Sequence, residues 1–376
     1  MVFALTGTRI FTGEGFLDHH AVVIEGRRIQ SVMPEQDIPA AMDRRVLGGG
    51  LLAPGFIDVQ VNGGGGALLN DDPSVDTVRT IATSHRTCGC VGLLPTVITD
   101  APSIMLKAAD AVRQARHEGM PGVLGIHIEG PFIDPACKGA HVPRFIREMT
   151  EEDVNQIAAL DCGAVMLTLA PNKVRPELVK MLAELGVLVS LGHAEASYVD
   201  AQAALEAGAT SFTHLYNAMS QINGREPGMV GAALSDSESF VGIIADGHHV
   251  HDAAMKVAFA AKPKSRMMLV SDAMPTAAGG PDHFELQGRK VLRNHGRLQL
   301  EDGTLAGSDL TMDQAVRYCV HRLKLDLGDA LRMASLNPAT FLRLGHELGR
   351  IAPGYLASLV HLGDDLRVKA TWINGA

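Results

Sequence analysis

The sequence predicts an α/β fold: a (β/α)8 TIM-like barrel with a small β-sandwich domain built from both chain termini. Three observations carry this expectation. From residue 53 onward, short β-branched or apolar runs alternate with segments of helical spacing; eight such runs occur by residue 272; and both chain ends share another texture, short strands broken by glycine turns. Strands alternating with helices imply a parallel sheet, and eight units suit a closed barrel. The competing architecture, an open doubly wound sheet, lacks the GxGxxG expected after its first strand. At about 150 residues per domain, a chain of 376 residues fits one large barrel and a smaller companion.

Residues 1–52 read as short strands (LTGTRIF, AVVIEGRRIQSV) and are expected to join residues 346–376 in one β domain. Neither end alone has enough strands for a stable sheet. Within the barrel domain, 53–345, strands are expected at 56–62, 92–99, 123–129, 164–170, 187–193, 210–217, 240–246 and 267–272. Segments 101–118 and 199–207, rich in Ala, Lys, Glu and Arg, read as helices. A β-hairpin insertion is expected near 284–305, helices resume at 311–324 and 328–334, and Asn337-Pro338 marks a further helix start. Cys88-x-Cys90 has no second pair at zinc-finger spacing and reads as two small apolar residues before the second strand. Gly63 to Gly66 lacks a following Gly-Lys-Ser/Thr and reads as a tight turn at the barrel mouth.

Composition narrows the function. Apolar residues make up 46% and charged residues 20%, an ordinary globular balance. Lys and Arg number 33 against 42 Asp and Glu, a net charge of −9 that argues against nucleic acid binding through bulk positive charge. An anionic substrate must then be met by a few placed cations. Five cysteines, an odd number, make no disulfide framework and suit the reducing cytoplasm. No apolar run is long enough for a membrane span, and the first ten residues lack the pattern of a signal peptide. A soluble, cytoplasmic protein with no membrane partner is expected.

Side chains at the carboxyl ends of barrel strands converge on one mouth. Glu129 ends the third expected strand, His193 the fifth, His214 lies near the end of the sixth, and Asp272 ends the eighth. A lone strand-end His is commonly a hydrogen-bonded packing residue, but four strand ends each supplying such a residue point to a site. One Glu with two His is a three-ligand set for a catalytic divalent metal that leaves a position open for water. One divalent ion per subunit is expected; Zn²⁺ suits the ligands, and Fe²⁺, Co²⁺ or Mn²⁺ can also occupy such sites.

HIEGPF (127–132), KGAH (138–141), LGH (191–193), THLYNAM (213–219), GREPG (224–228), ADGHHV (245–250), SDAM (271–274) and DGTLAGS (302–308) stand in this order along the chain. In combination they resemble the N-acetylglucosamine-6-phosphate deacetylases of the amidohydrolase superfamily, and the likeness extends to LAPGFIDVQVNGGGG (52–66) and the tail. The resemblance implies hydrolysis of N-acetyl-D-glucosamine 6-phosphate to D-glucosamine 6-phosphate and acetate, in amino-sugar catabolism. One alternative is the same reaction on N-acetylgalactosamine 6-phosphate, which differs in one hydroxyl orientation. Another is a non-catalytic amidohydrolase-like scaffold, which predicts a broken ligand set, whereas Glu129, His193, His214 and Asp272 are all present.

Most amidohydrolases carry His-x-His on the first strand to hold a second metal, where this chain has Gln60-Val61-Asn62. Carboxamides are poor transition-metal ligands and good hydrogen-bonding groups, so a single metal on Glu129, His193 and His214 is expected. Gln60 then either holds the attacking water or, with Asn62, satisfies backbone groups near the Gly63 turn. The resemblance makes Asp272 the acid/base, the alternative being a partner that orients a ligating His. It makes His141, next to Ala140, a donor to the substrate carbonyl oxygen. It assigns the phosphate to His249 and to Arg225, the latter reaching the neighbouring active site of a homodimer. Asn217, Ala218, Leu305, Ala306 and Gly307 are expected to line the sugar. Cys137, eight residues after Glu129, is a candidate oxidation-sensitive thiol in the active-site loop.

Overall fold

A computed structural model describes residues 2–376. Eight parallel strands follow one another around a barrel in chain order: Phe56–Val61, Cys90–Ile98, Gly125–Glu129, Ala164–Leu169, Leu188–Leu191, Ser211–Phe212, Phe240–Ile243 and Met267–Leu269. The first two strands are buried along their whole length, the signature of parallel strands covered on both faces. The ring closes between the last and first strands, where Asp272 N–H donates to Gln60 O and Asn62 N–H to Ala273 O, both at 2.9 Å. Outside the strands, Pro102–His117 packs Ala108, Ala109, Val112 and Ala115 inward, and Thr150 and Ser197 open their helices with capping boxes.

Both chain ends enter the flanking β domain. Leu51–Pro54 pairs antiparallel with Leu359–Leu362 in a five-stranded sheet, and Val2–Thr6 lies between His20–Glu25 and Asp43–Val46 in a four-stranded one. Phe3, Leu5, Ile10, Val22, Ile24, Leu52 and Leu359 form the core between the two sheets.

Several expectations about elements change; among them, the eighth strand ends at Leu269, three residues before Asp272. The hairpin near 284–305 is part of a four-stranded antiparallel sheet, His283–Leu286, Arg289–Asn294, Arg297–Gln299 and Leu305–Ser308. Its last strand is tied beside the barrel seam by Ser308 N–H to Asp272 O at 2.9 Å. The sixth strand stops at Phe212, far short of residue 217, because His214, Tyr216 and Ala218 have φ of 31°, 76° and 49°, which no strand tolerates. Cys90 opens the second strand, while Cys88 stays in the turn before it.

Asp58 sits within the barrel. Its Oδ1 accepts from the N–H groups of Gln60 and Ser271, each at 3.2 Å, and its Oδ2 is buried with no partner among the described residues. Burial pushes this carboxyl up to about 7, against the opposing pull of those hydrogen bonds. A folded-state pKa above the unfolded value means that the stability from protonating Asp58 is complete below about pH 4 and is lost as pH rises through 7. Asp58→Asn should therefore flatten the pH dependence, by about 2 to 3 kcal/mol between pH 5 and 8. Denaturant unfolding of both proteins at the two pH values checks this; equal slopes would refute it.

Candidate metal centre and active site

Glu129 ends the third barrel strand, His193 lies two residues beyond the fifth, and His214 two residues beyond the sixth. Glu129 Oε1 lies 3.1 Å from His193 Nε2 and 3.1 Å from His214 Nε2, and the two imidazole nitrogens are 3.0 Å apart. All three side chains are buried. His193 Nδ1 is 2.9 Å from the carbonyl oxygen of Cys137. A carbonyl has no hydrogen to give, so Nδ1 carries the imidazole proton and Nε2 of the neutral ring presents a lone pair. A carboxylate lone pair and an imidazole lone pair thus face each other out of water, with His214 Nε2 completing the triangle. A cation at their common centre would satisfy such an arrangement, and Glu with two His is a donor set for a catalytic divalent metal. Burial opposes protonation of His214, and the Glu129 carboxylate overrides it, raising that imidazole.

The second carboxylate is tied to the first by amides. Gln60 Nε2 donates to Glu129 Oε1 at 3.1 Å and to Asp272 Oδ1 at 3.2 Å, and Asn62 Nδ2 donates to the same Asp272 oxygen at 2.7 Å. The Gln60 side chain serves the two carboxylates and not the backbone of the Gly63 turn. Asp272 Oδ2 has no protein partner among the described residues. Burial first, then the Glu129 charge, pushes Asp272 up to about 6. His193, His214 and Asp272 all sit at positive φ, 49°, 31° and 53°. Non-glycine residues held in this region store backbone strain, which clusters at functional sites.

A cavity of 510 Å³ opens above this cluster. Its wall includes Glu129, His193, His214 and Asp272 together with Ala140, His141, Asn217, Ala218, His249, Leu305 and Gly307. Four of the predicted residues are elsewhere. Gln60 lies beneath the carboxylates, Ala306 is fully buried behind its neighbours, Asn62 is buried at the seam, and Arg225 is exposed on the loop after the sixth strand. Arg225 makes no hydrogen bond or ion pair among the described residues, and its neighbour Glu226 instead accepts from Tyr198 N–H at 2.7 Å and Gly228 N–H at 3.0 Å. The Asn217 amide donates to the carbonyls of His214 and Leu215, bracing the turn that carries His214.

His249 and Asp246 make a buried pair, Nδ1 to Oδ2 at 2.6 Å, and Asp246 also accepts the N–H groups of His248 and His249. Tyr216, Met219, Gln221, Ile244 and Met274 add to the cavity wall. The sequence does not single these out, since side chains on loops, polar Gln221 included, carry no spacing signal. The Cys137 thiol is held up to about 12, first by burial and then by Glu195, whose Oε2 is 3.5 Å from Sγ. A thiol held protonated in this way offers little thiolate for oxidation. A cavity of 610 Å³ at the opposite end of the barrel includes Arg116, Gly122, Gly163 and Leu188 and none of the ionisable cluster.

Residues 51–376 match the amidohydrolase family, and residues 2–52 match the NagA composite domain. The chain belongs to the amidohydrolase family. It is 41% identical to the N-acetylgalactosamine-6-phosphate deacetylase of Shewanella sp. (strain ANA-3), over 98% of this chain and 94% of that protein. It is 33% identical to the N-acetylglucosamine-6-phosphate deacetylase of Haemophilus influenzae, over 100% and 99% of the two chains. The crystal structure of N-acetylglucosamine-6-phosphate deacetylase from Pasteurella multocida superposes with a TM-score of 0.97 at 33% identity, covering 100% of this chain and 99% of that one.

Proposed function

We propose that this chain hydrolyses N-acetyl-D-glucosamine 6-phosphate to D-glucosamine 6-phosphate and acetate. The observation that carries the chemistry is the Glu129, His193 and His214 triangle with Asp272 linked to it through Gln60. The relatives carry the substrate class, because all are named for deacetylation of an N-acetylated hexosamine 6-phosphate.

Glu129, His193 and His214 would hold one divalent cation per subunit, Zn²⁺ being our assignment, with Fe²⁺, Co²⁺ and Mn²⁺ as substitutes. Such a cation, when bound, polarises a carbonyl and lowers the pKa of water. The protein groups do the rest. Asp272 accepts the proton of the attacking water at Oδ2, since Oδ1 is committed to Gln60 and Asn62. It then delivers that proton to the amide nitrogen, which leaves only as the neutral amine. A carboxyl raised to about 6 can both take and return a proton near neutral pH. His141 donates to the carbonyl oxygen as negative charge develops there. His249, braced by Asp246, faces the phosphate, while Ala140, Asn217, Ala218, Leu305, Ala306 and Gly307 form the sugar's surroundings.

A homodimer completes the site in this reading, with Arg225 reaching the neighbour's phosphate. Its unpaired guanidinium supports this, as do the exposed Val199 and Ile222 near the same loop. We place the enzyme in the cytoplasm, where phosphorylated sugars are made and held and where five unpaired thiols survive.

The second reading is N-acetylgalactosamine 6-phosphate as the preferred substrate, favoured by the higher identity, 41% against 33%, to the relative of that name. Acetate release from both epimers separates the two. The glucosamine reading expects the larger kcat/KM for the glucosamine epimer, and the reverse ratio establishes the second reading. No release from either would remove the proposal. Asp272→Asn should keep substrate binding but lose a hundredfold or more, roughly, in kcat; near-normal turnover would take Asp272 out of the mechanism.

Arg225→Ala should raise KM for the phosphorylated sugar far more than for unphosphorylated N-acetylglucosamine. Arg225→Lys should also be harmful, because a point charge does not replace a bidentate guanidinium. Mixing Arg225→Ala with Asp272→Asn subunits should restore activity at low substrate, since a mixed dimer holds one intact site. No recovery despite measured subunit exchange would contradict the shared site.

A further inference from the structure

A neutral imidazole carries one N–H, so His141 can donate into the cavity from Nε2 only if its Nδ1 is unprotonated. Nδ1 lies 2.7 Å from the hydroxyl oxygen of Thr99, the residue that follows the second barrel strand. Thr99 is 0% and His141 4% exposed, so bulk water does not compete for either group. The Thr99 hydroxyl has one hydrogen and two acceptors in reach, His141 Nδ1 at 2.7 Å and the Glu129 carbonyl oxygen at 3.3 Å. Two assignments satisfy these distances: the hydroxyl donates to His141 Nδ1, or Nδ1–H donates to the hydroxyl and the hydroxyl to the Glu129 carbonyl; the donor role of His141 at the substrate selects the first. His141 Nε2 then bears the ring proton on the cavity side, with no protein partner among the described residues.

We propose that Thr99 is a positioning residue that fixes His141 in the Nε2–H tautomer, and that the tip of the inserted sheet holds the pair in place. This deepens, and rests on, the reading of His141 as the donor to the substrate carbonyl. The turn between His283–Leu286 and Arg289–Asn294 reaches both partners. Gln287 Nε2 donates to the Thr99 carbonyl at 3.0 Å and to Asp100 Oδ2 at 2.7 Å, while Arg289 donates to the carbonyl of Ala140, the residue before His141. Room for the hydroxyl is made by Gly130, at φ +84°, where a Cβ would stand 2.1 Å from Thr99 Oγ1. The imidazole is packed against His193, ring centroids 4.5 Å apart, which holds the plane in which Nδ1 meets Thr99.

The test is ¹⁵N NMR of histidine-labelled, zinc-loaded protein, which is diamagnetic, with His141 assigned by the signal missing from His141→Gln. The wild type should show Nε2 as the protonated nitrogen and Nδ1 as the hydrogen-bond acceptor. Thr99→Val should lose that Nδ1 signature and fall on the order of tenfold or more in kcat, with KM within about twofold, by analogy with loss of an oxyanion donor. Thr99→Ser should restore both. A wild-type His141 protonated on Nδ1, or a folded Thr99→Val with unchanged spectrum and kcat, would overturn the proposal. If Thr99→Val fails to fold, the wild-type spectrum and Thr99→Ser decide alone. The spectrum reads the tautomer whatever the substrate, so failure of the deacetylase reading remains distinguishable from failure of this one.

Discussion

Three electron-rich atoms from strands far apart in the chain, Glu129 Oε1, His193 Nε2 and His214 Nε2, meet within 3.1 Å of one another in a buried space. Bringing like partial charges together out of water is unfavourable unless a cation joins them. The surrounding architecture can be understood as the frame that enforces this meeting. Parallel strands in consecutive order send their carboxyl ends to one mouth, so residues 129, 193 and 214 become neighbours without any local contact in sequence. Positive φ at His193 and His214 turns each ligand inward as its strand ends, and the strain is held by the packed barrel.

The seam where the barrel closes is also where its chemistry is tuned. Asp272 N–H bonds Gln60 O across the seam, and the side chains of Gln60 and Asn62 bond the Asp272 carboxylate above it. Carboxamides at these positions do two things that imidazoles would not. They leave no second metal-binding pair beside Asp272, and they hold one carboxylate oxygen while leaving the other without a partner among the described residues. The inserted sheet attaches at the same seam through Ser308 and carries Leu305 and Gly307 to the cavity wall. Closure of the fold, placement of Asp272 and shaping of the cavity therefore share one set of contacts.

Much of this was legible in the sequence. Repeated apolar runs report buried parallel strands directly, and Glu129 does end its strand; His193, His214 and Asp272 lie two, two and three residues beyond theirs, and positive φ brings them to the same mouth. The family resemblance added His141, His249 and the cavity wall, none of which follows from spacing. Other features were not legible for physical reasons. The sixth strand is shorter than its apolar pattern implies because positive φ at His214 and Tyr216 leaves no mark in composition. The four-stranded insertion exceeded the expected hairpin because its last strand, LAGS, is too small and short to read as a strand alone. The use of Gln60 as a bridge between two carboxylates, and of Thr99 as a partner for His141, depends on contacts between residues dozens of positions apart.

The central claim is that Glu129, His193 and His214 surround one cation and that Gln60 and Asn62 surround none. Anomalous X-ray diffraction from crystals of the purified protein, collected at the absorption edge of the metal it carries, tests this most directly. One peak per subunit is expected, among Glu129 Oε1, His193 Nε2 and His214 Nε2. A second peak of comparable occupancy beside Gln60 and Asn62, or a lone peak away from the three ligands, would contradict it.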